Sequence, residues 1–220
     1  MIGVVVPVAD LTDAKKRLAP ALSHRERAGL MSAMLIDVLI AFAQTNGIGP
    51  VYVVAHDCAI LKIARAYGAV LIPEPENRGY NEAVAMAVAH LADRDLSGIL
   101  VIPADVPLVH PPELESLARP VSGPLVRLAP AKDGDGSNGL LLSPPEVIAT
   151  QYGPGSAARH RQAAKEIGVP CEELYLPGLS FDIDTPQDLT DFCAIPSDSK
   201  SRAFLEERGI VMRLQDSSYE

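Results

Sequence analysis

Ile2 to Val8 is an unbroken apolar run rich in β-branched side chains. A short run with no polar alternation predicts a strand buried on both faces, as in a parallel sheet. A polar loop with Asp10, Asp13, Lys15, Lys16 and Arg17 follows. Ser23, with Glu26 three residues later, has the spacing of a capping box. Leu30, Met34, Val38 and Phe42 then recur on one stripe, which predicts a helix to about Gln44. The pattern continues with a strand Val51 to Ala55, a helix Ala59 to Tyr67 stopped by Gly68, and a strand Ala69 to Ile72. An Ala-rich helix, Asn81 to Leu91, and a strand, Gly98 to Ile102, complete this half, ending at Pro103-Ala104-Asp105. Alternating strand and helix implies right-handed β-α-β units and a mostly parallel central sheet, an α/β fold.

The second half is less regular. Leu125 to Ala129 and Leu140 to Leu142 are candidate strands, and Lys132 to Asn138 between them, rich in Gly and Asp, reads as a loop. Ser156 to Ile167 reads as a helix and Cys171 to Tyr175 as a strand. Pro186 opens another helix, since Pro suits a first-turn position. From Ser199 the chain predicts a short helix, a stop at Gly209, a strand Ile210 to Leu214, and a loose end from Gln215 to Glu220. No repeat, low-complexity tract or linker interrupts the sequence. Its 220 residues suit one domain over 1–220, with residues from about 199 as a C-terminal extension.

Composition narrows the class. Hydrophobic residues make up 48% and charged residues 21%, ordinary for a soluble globular protein. Trp is absent, so aliphatic side chains must fill the core. The net charge of -9 argues against broad nucleic-acid binding, which needs a positive field. A local basic patch or a metal would still admit a small anionic substrate. Cys58, Cys171 and Cys193 are scattered and form no C-x-x-C pair, which reads as reduced thiols in a cytoplasmic protein. No apolar run reaches roughly 18 residues, so no membrane span is expected. The first residues lack a charged leader and read as a strand rather than a signal peptide. A homodimer is the prior for a soluble enzyme.

Six places carry candidate chemistry. Asp105 ends the fourth strand, at the sheet edge where ligands of open α/β sheets bind; alternatively it caps the turn before Pro111-Pro112. Asp182 and Asp184 are two apart in an extended segment, which aims both carboxylates at one place. Like charges so close call for a cation between them, and Mg²⁺ commonly combines one or two carboxylates with phosphate oxygens. Asp184 also has the position of a cap for the helix at Pro186. The loop Asp13 to Leu18, with Lys15 and Arg17, offers basic charge to a triphosphate but has no Walker A spacing. Gly134 to Asn138 and Tyr152-Gly153-Pro154-Gly155-Ser156 permit close backbone approach. The second runs into a helix with Arg159, His160 and Arg161, whose N-terminus opening at Ser156 offers N–H groups to an anion. Asn81 either caps the Ala-rich helix or reads a base edge. His24, His56 and His110 read as surface or loop residues, and no Ser-His-Asp or Cys-His pattern stands out.

In combination these stretches resemble the phospholactate-type guanylyltransferases of deazaflavin coenzyme (coenzyme F-420) biosynthesis. The resemblance runs through Val6-Pro7-Val8, Ala14 to Pro20, Leu22 to Arg27, Tyr80 to Ala83, Pro103 to Leu108, Gly136 to Asn138, Tyr152 to Ser156 with Arg159-His160, Pro177 to Leu179, and Asp182 to Pro186. It implies a Rossmann-like, GT-A-like nucleotidyltransferase fold. It also implies GMP transfer from GTP to 2-phospho-L-lactate, phosphoenolpyruvate or 3-phospho-D-glycerate, with release of pyrophosphate and with Mg²⁺ or Mn²⁺ as cofactor. On motif position it suggests that Ser137, Gly153 and Ser156, with Asn81 and Arg159, bind substrate. It suggests that Asp105 with Asp182 or Asp184 holds metal, that Lys15 and Arg17 contact phosphates, and that a downstream deazaflavin transferase is a partner. The sequence departs from the family at Ala9, where a Lys is usual. Lys16, where a small hydroxyl residue is common, is placed to compensate, and Asp135 adds negative charge beside the acid site. A cytidylyltransferase of molybdopterin type or a sugar-nucleotide transferase is the competing enzyme reading, although Val8 to Lys16 lacks the Gly-rich loop those carry. A non-catalytic nucleotide-binding or partner protein is the other.

Overall fold

The computed structural model describes residues 1–11, 15–120 and 122–216, the side chain of Asp216 excepted. Asp13 and Ala14 of the basic loop, and residues 217–220 of the expected loose end, lie outside the described residues. The strands are β1 (Ile2–Pro7), β2 (Val51–Ala55), β3 (Val70–Pro73), β4 (Gly98–Val101), β5 (Leu125–Pro130), β6 (Ser137–Ser143) and β7 (Cys171–Glu173). They form one sheet in the order β3-β2-β1-β4-β6-β5-β7. The β1–β2, β1–β4, β2–β3 and β5–β7 pairs are parallel, and β6 runs antiparallel to both β4 and β5. The mixed sheet is mostly parallel, as the alternation of the first half implies.

The helices are α1 (His24–Ala43), α2 (Cys58–Ala66), α3 (Tyr80–Leu91), α4 (Pro111–Leu117), α5 (Ser156–Glu166), α6 (Pro186–Ala194), α7 (Lys200–Glu207) and α8 (Ile210–Asp216). They cover both faces of the sheet. Val4, Val6, Val53 and Leu100 pack with residues of α1, α2, α4 and α6, whereas Val5, Val54, Ile99 and Val101 pack with α3 and α5. Every residue of β1 is buried, which is why its sequence shows no alternation. The Ser23–Glu26 capping box is made: the Glu26 N–H donates to Ser23 Oγ, and the Ser23 N–H to Glu26 Oε2 at 2.8 Å.

Three elements differ from the sequence expectation. Ile210 to Leu214, expected as a strand, lies in α8. Ile210 and Val211 are buried while Met212 is exposed. Apolar residues at 210, 211 and 214 therefore form a helical stripe, and Gly209, at φ +65°, turns α7 directly into it. Strand β6 begins at Ser137, so Ser137 and Asn138 are buried sheet residues rather than loop. The helix at Pro186 is capped by Thr185, whose side chain accepts from the Asp188 N–H, and not by Asp184.

Helix α7 docks on α1. Lys200 N–H, Ser201 N–H and Ser201 Oγ all donate to the buried Asp37 carboxylate at 2.6, 2.9 and 2.6 Å. A Cβ on Gly29 would come within 2.5 Å of the Phe204 ring, so Gly29 permits this approach.

Candidate active site

The carboxyl ends of β1 and β4, the start of β6 and the segment before α6 converge on one cleft. The Ile183 N–H donates to the Asp105 carbonyl at 3.2 Å, which ties the Asp182–Asp184 segment to the end of β4. Ile183 is fully buried, and its neighbours Asp182 and Asp184 both line the cleft.

Lys15 sits at the centre of this convergence. Its backbone is left-handed (φ 50°, ψ 46°), a conformation a non-glycine side chain holds only when its contacts enforce it. The ammonium bonds Asp105 and lies 2.5 Å from Asp184 Oδ1, with only 6% of the side chain exposed. Burial alone would lower the Lys15 pKa. The charges of Asp105 and Asp184 and the hydrogen bonds from both outweigh it and hold the pKa above the ordinary value. Arg17 is largely exposed and approaches Asp184 Oδ2 to 3.6 Å. Asp182 turns to Asn138, whose Nδ2 donates to it at 3.0 Å. Burial, then the nearby Asp105 charge, raises the Asp182 pKa, and the Asn138 hydrogen bond only partly opposes this. Among the described residues no three His, Cys, Asp or Glu side chains are grouped as metal ligands. The expected trio is thus brought to one cleft, with two members sharing Lys15. The three side chains nevertheless present only oxygen donors, the kind a hard divalent cation takes.

The cleft has two lobes. The smaller, about 300 Å³, is lined by Pro7, Ala9, Lys15, Lys16 and Met31 beyond β1. The larger, about 760 Å³, reaches Ser137, Asn138, Tyr152, Gly153 and Ser156. Arg17, Tyr80, Asp105 and Asp184 line both and mark the junction.

At the far end of the larger lobe, Ser156 Oγ donates to Ser137 Oγ at 3.1 Å. Ser137 Oγ also lies 2.9 Å from His160 Nδ1, and the Gln151 N–H donates to His160 Nε2 at 2.9 Å. His160 has no exposed surface. Burial, with the Arg159 charge second, pulls its pKa down to about 4. The phenol oxygens of Tyr80 and Tyr152 are buried with no hydrogen-bond partner among the described residues. Their rings meet edge to face at 4.6 Å, and Tyr152 meets the His160 ring at 5.1 Å.

Several sequence expectations change here. Ser156 does not cap α5: Gly155, at φ +72°, is the N-cap, and Ser156 is the first helical residue. The helix start does not offer free N–H groups in its first positions. Gly155 N–H donates to Asp135 Oδ2 at 2.7 Å, Ser156 N–H to the Gly153 carbonyl, and Ala157 N–H to the Asp135 carbonyl. Asp135 thereby holds the loop, instead of merely adding charge to an acid site. Asn81, which lines the larger lobe, does not cap α3, whose N-cap is Gly79. Its Nδ2 donates to the Tyr152 carbonyl at 3.1 Å and its Oδ1 accepts the Tyr152 N–H at 2.7 Å. Arg159, expected to bind substrate, clasps the Gln151 and Pro154 carbonyls. Both residues fix the glycine loop. His160, Tyr80 and Tyr152 fall within the stretches quoted from the sequence, which gave them no role of their own. The available signal was the Ser156/His160 spacing of four, which puts both on one helix face.

A putative nucleotide-diphospho-sugar transferase from Desulfovibrio desulfuricans G20 shares the fold at a TM-score of 0.72 and 14% identity, covering 97% of this chain and 99% of that one. The family model described as Guanylyl transferase CofC like matches residues 2–220, and the chain belongs to that family. It is similar to the phosphoenolpyruvate guanylyltransferase of Conexibacter woesei (36% identical, 84% of each chain covered). It is also similar to the 3-phospho-D-glycerate guanylyltransferase of Colwellia psychrerythraea (37% identical, 85% of this chain and 89% of that one). The family resemblance read from the motifs therefore stands, and the chain is a nucleotidyltransferase. No described helix is long and apolar enough to cross a membrane.

Proposed function

We propose that the chain transfers GMP from GTP to a small phosphorylated carboxylic acid, releasing pyrophosphate, within coenzyme F-420 biosynthesis. The acid is phosphoenolpyruvate, 3-phospho-D-glycerate or 2-phospho-L-lactate, the first two being the compounds for which the relatives above are named. The observation that carries this reading is the charged junction of Arg17, Asp105 and Asp184 between two lobes. Two substrates entering from opposite lobes would meet there. The nucleotide's phosphates take the smaller lobe, beside Lys15, Lys16 and Arg17. The acid takes the larger lobe, beside Ser137, Gly153 and Ser156.

In the step itself an oxygen of the acceptor phosphate attacks the α-phosphorus of GTP. A new P–O–P bond forms as the bond from the α-phosphorus to the β-phosphate's bridging oxygen breaks, and pyrophosphate leaves. A phosphate monoester is already ionised near neutral pH, so no strong general base is needed. Catalysis rests on positioning and charge neutralisation. Asp105, Asp182 and Asp184 would hold Mg²⁺ or Mn²⁺, which when bound neutralises developing phosphoryl charge. Lys15 bonds two of these carboxylates and lies within reach of the same phosphates, and Arg17 stands beside it. The buried serine hydroxyls orient the acceptor. The capped acid would then pass to a deazaflavin transferase.

The test is pyrophosphate release from GTP and Mg²⁺ with each acid separately, with and without the downstream transferase. Release with one acid, and none with EDTA, is expected. Silence with all three acids beside an active relative would sink the proposal.

A further inference from the structure

The contact between Ser137 and His160 has the geometry of a nucleophile and its base, yet its hydrogen bonds run the other way. The Gln151 backbone N–H can only donate, so His160 Nε2 must be the acceptor and carries no proton. The buried ring, its pKa depressed by desolvation and by Arg159, is neutral at physiological pH. A neutral imidazole bears one proton, which is therefore on Nδ1. Nδ1 must then donate to Ser137 Oγ at 2.9 Å. Ser137 Oγ accepts a second bond from Ser156 Oγ at 3.1 Å. Two accepted bonds use both of its lone pairs and leave only its O–H. Were the Ser137–Ser156 bond reversed, Ser156 would hold the spare O–H instead. Either way the serine pair has one more proton than internal acceptors, and both serines line the larger lobe. The Gly155, Ser156 and Ala157 N–H groups at the start of α5 already donate to Asp135 and Gly153, so the spare serine hydroxyl is the donor this part of the wall adds.

We propose that His160 is a positioning residue: its Nδ1–H, fixed by the Gln151 amide, makes the Ser137–Ser156 pair an obligate hydrogen-bond donor to the anionic acceptor. This rests on the reading of the larger lobe as the acid site. It excludes His160 as a base and Ser137 as a nucleophile. It also gives the lobe a chemical preference, for a phosphate or carboxylate oxygen over a ligand that must itself donate.

The test begins with nitrogen-15 NMR of histidine-labelled protein at about pH 7, where an unperturbed His is largely neutral. His160 is expected as the neutral Nδ1–H tautomer, and an Nε2–H tautomer or an imidazolium overturns the proposal. The second arm compares two variants by steady-state kinetics. His160→Asn puts an amide N–H near the position of Nδ1, whereas His160→Gln reaches the Nε2 position and leaves Ser137 without its donor. His160→Gln is expected to raise the acceptor KM roughly ten-fold or more, with the GTP KM little changed, and His160→Asn to recover most of the loss. The difference between the two should vanish in a Ser137→Ala background. Equal effects of Asn and Gln, or a difference that persists without Ser137, overturn the proposal. A wild type silent with every acid sinks the function reading instead. The binding of inorganic phosphate, followed by NMR, then decides this one: roughly ten-fold weaker in His160→Gln supports it, and unchanged affinity refutes it.

Discussion

Lys15 Nζ lies 2.5 Å from Asp184 Oδ1 and bonds Asp105 as well, so one buried ammonium balances carboxylates that arrive from distant parts of the chain. A divalent cation on the same carboxylates would release Lys15 toward the nucleotide's phosphates. Lys15→Met leaves the acids facing one another without a counter-charge. Asp105 and Asp184 are partly exposed, 24% and 40%, which screens the repulsion. The expected cost is about 2 kcal/mol, or a fall of roughly 4–8 °C in Tm in EDTA. Mg²⁺ should raise the Tm of the variant more than that of the wild type, through binding to the native state. Equal Mg²⁺ shifts in both proteins would remove the carboxylates' role as a cation site.

Asp105→Asn keeps the side chain's size and hydrogen-bonding reach but removes its charge from the junction. Turnover should fall by about three orders of magnitude, in line with the loss of a group that positions phosphoryl charge. Circular dichroism and the melting midpoint should stay near wild type, because Lys15 keeps Asp184. A variant that keeps full pyrophosphate release would make Asp105 a structural residue only.

The parts of this arrangement that were legible in the sequence are those set by local pattern. The all-apolar β1 run, the Ser23–Glu26 box and the Asp182-Ile183-Asp184 alternation each state their geometry in a few consecutive residues. Other site residues have partners that no short run of sequence states. Asn81 is a plausible cap until Tyr152, seventy-one residues away, takes both ends of its amide. Arg159 is a plausible anion ligand until the loop's own carbonyls meet its guanidinium. Ser137 and Asn138 resemble loop residues because burial of polar side chains is decided by long-range partners, His160 and Asp182. Likewise Ile210 and Val211 suggest a strand by propensity, and packing against the helices overrides it.

The buried His160 makes stability pH-dependent. Its pKa is about 4 in the folded protein against an ordinary 6.5. The unfolded chain therefore binds the extra proton first. The contribution is complete above about pH 6.5 and is lost as pH falls toward about 4, by about 3 kcal/mol in total. Asp37 and Asp182, whose pKa values are raised by burial, act in the opposite sense over the carboxylate range. Urea melts of the wild type and His160→Gln across this window separate the two effects. The wild type should lose stability more steeply on acidification than the variant, and parallel curves would contradict a neutral buried imidazole.

The residues that dock α7 on α1 (Gly29, Asp37, Ser201 and Phe204) line neither lobe of the cleft. Asp37→Ala leaves three donors, two backbone N–H groups and the Ser201 hydroxyl, without their acceptor. About 3 kcal/mol of stability should be lost. Gly29→Ala places a methyl group against the Phe204 ring and should destabilise as well, by about 1–3 kcal/mol. Neither change should alter the KM for GTP or acid by more than about two-fold at temperatures where the variants are folded. A large KM effect would mean that the C-terminal helices reach the site.

Ala9, where the family resemblance implies Lys, lines the smaller lobe together with Lys16. Because both residues line one lobe, Lys16 is placed to supply there the positive charge that Ala9 lacks. Charge near the triphosphate acts through a local field, so its exact origin matters less than its distance. Lys16→Ala should therefore raise the KM for GTP roughly ten-fold while leaving the acceptor KM little changed. Ala9→Lys alone should have a small effect, because the lobe already holds its charge. The double variant Ala9→Lys/Lys16→Ala should recover most of the lost affinity, and the test is steady-state pyrophosphate release across GTP concentrations. Failure of Ala9→Lys to rescue would place the two positions on different phosphates. A rise in acceptor KM instead of GTP KM would assign the smaller lobe to the acid and reverse the proposed seating of the two substrates.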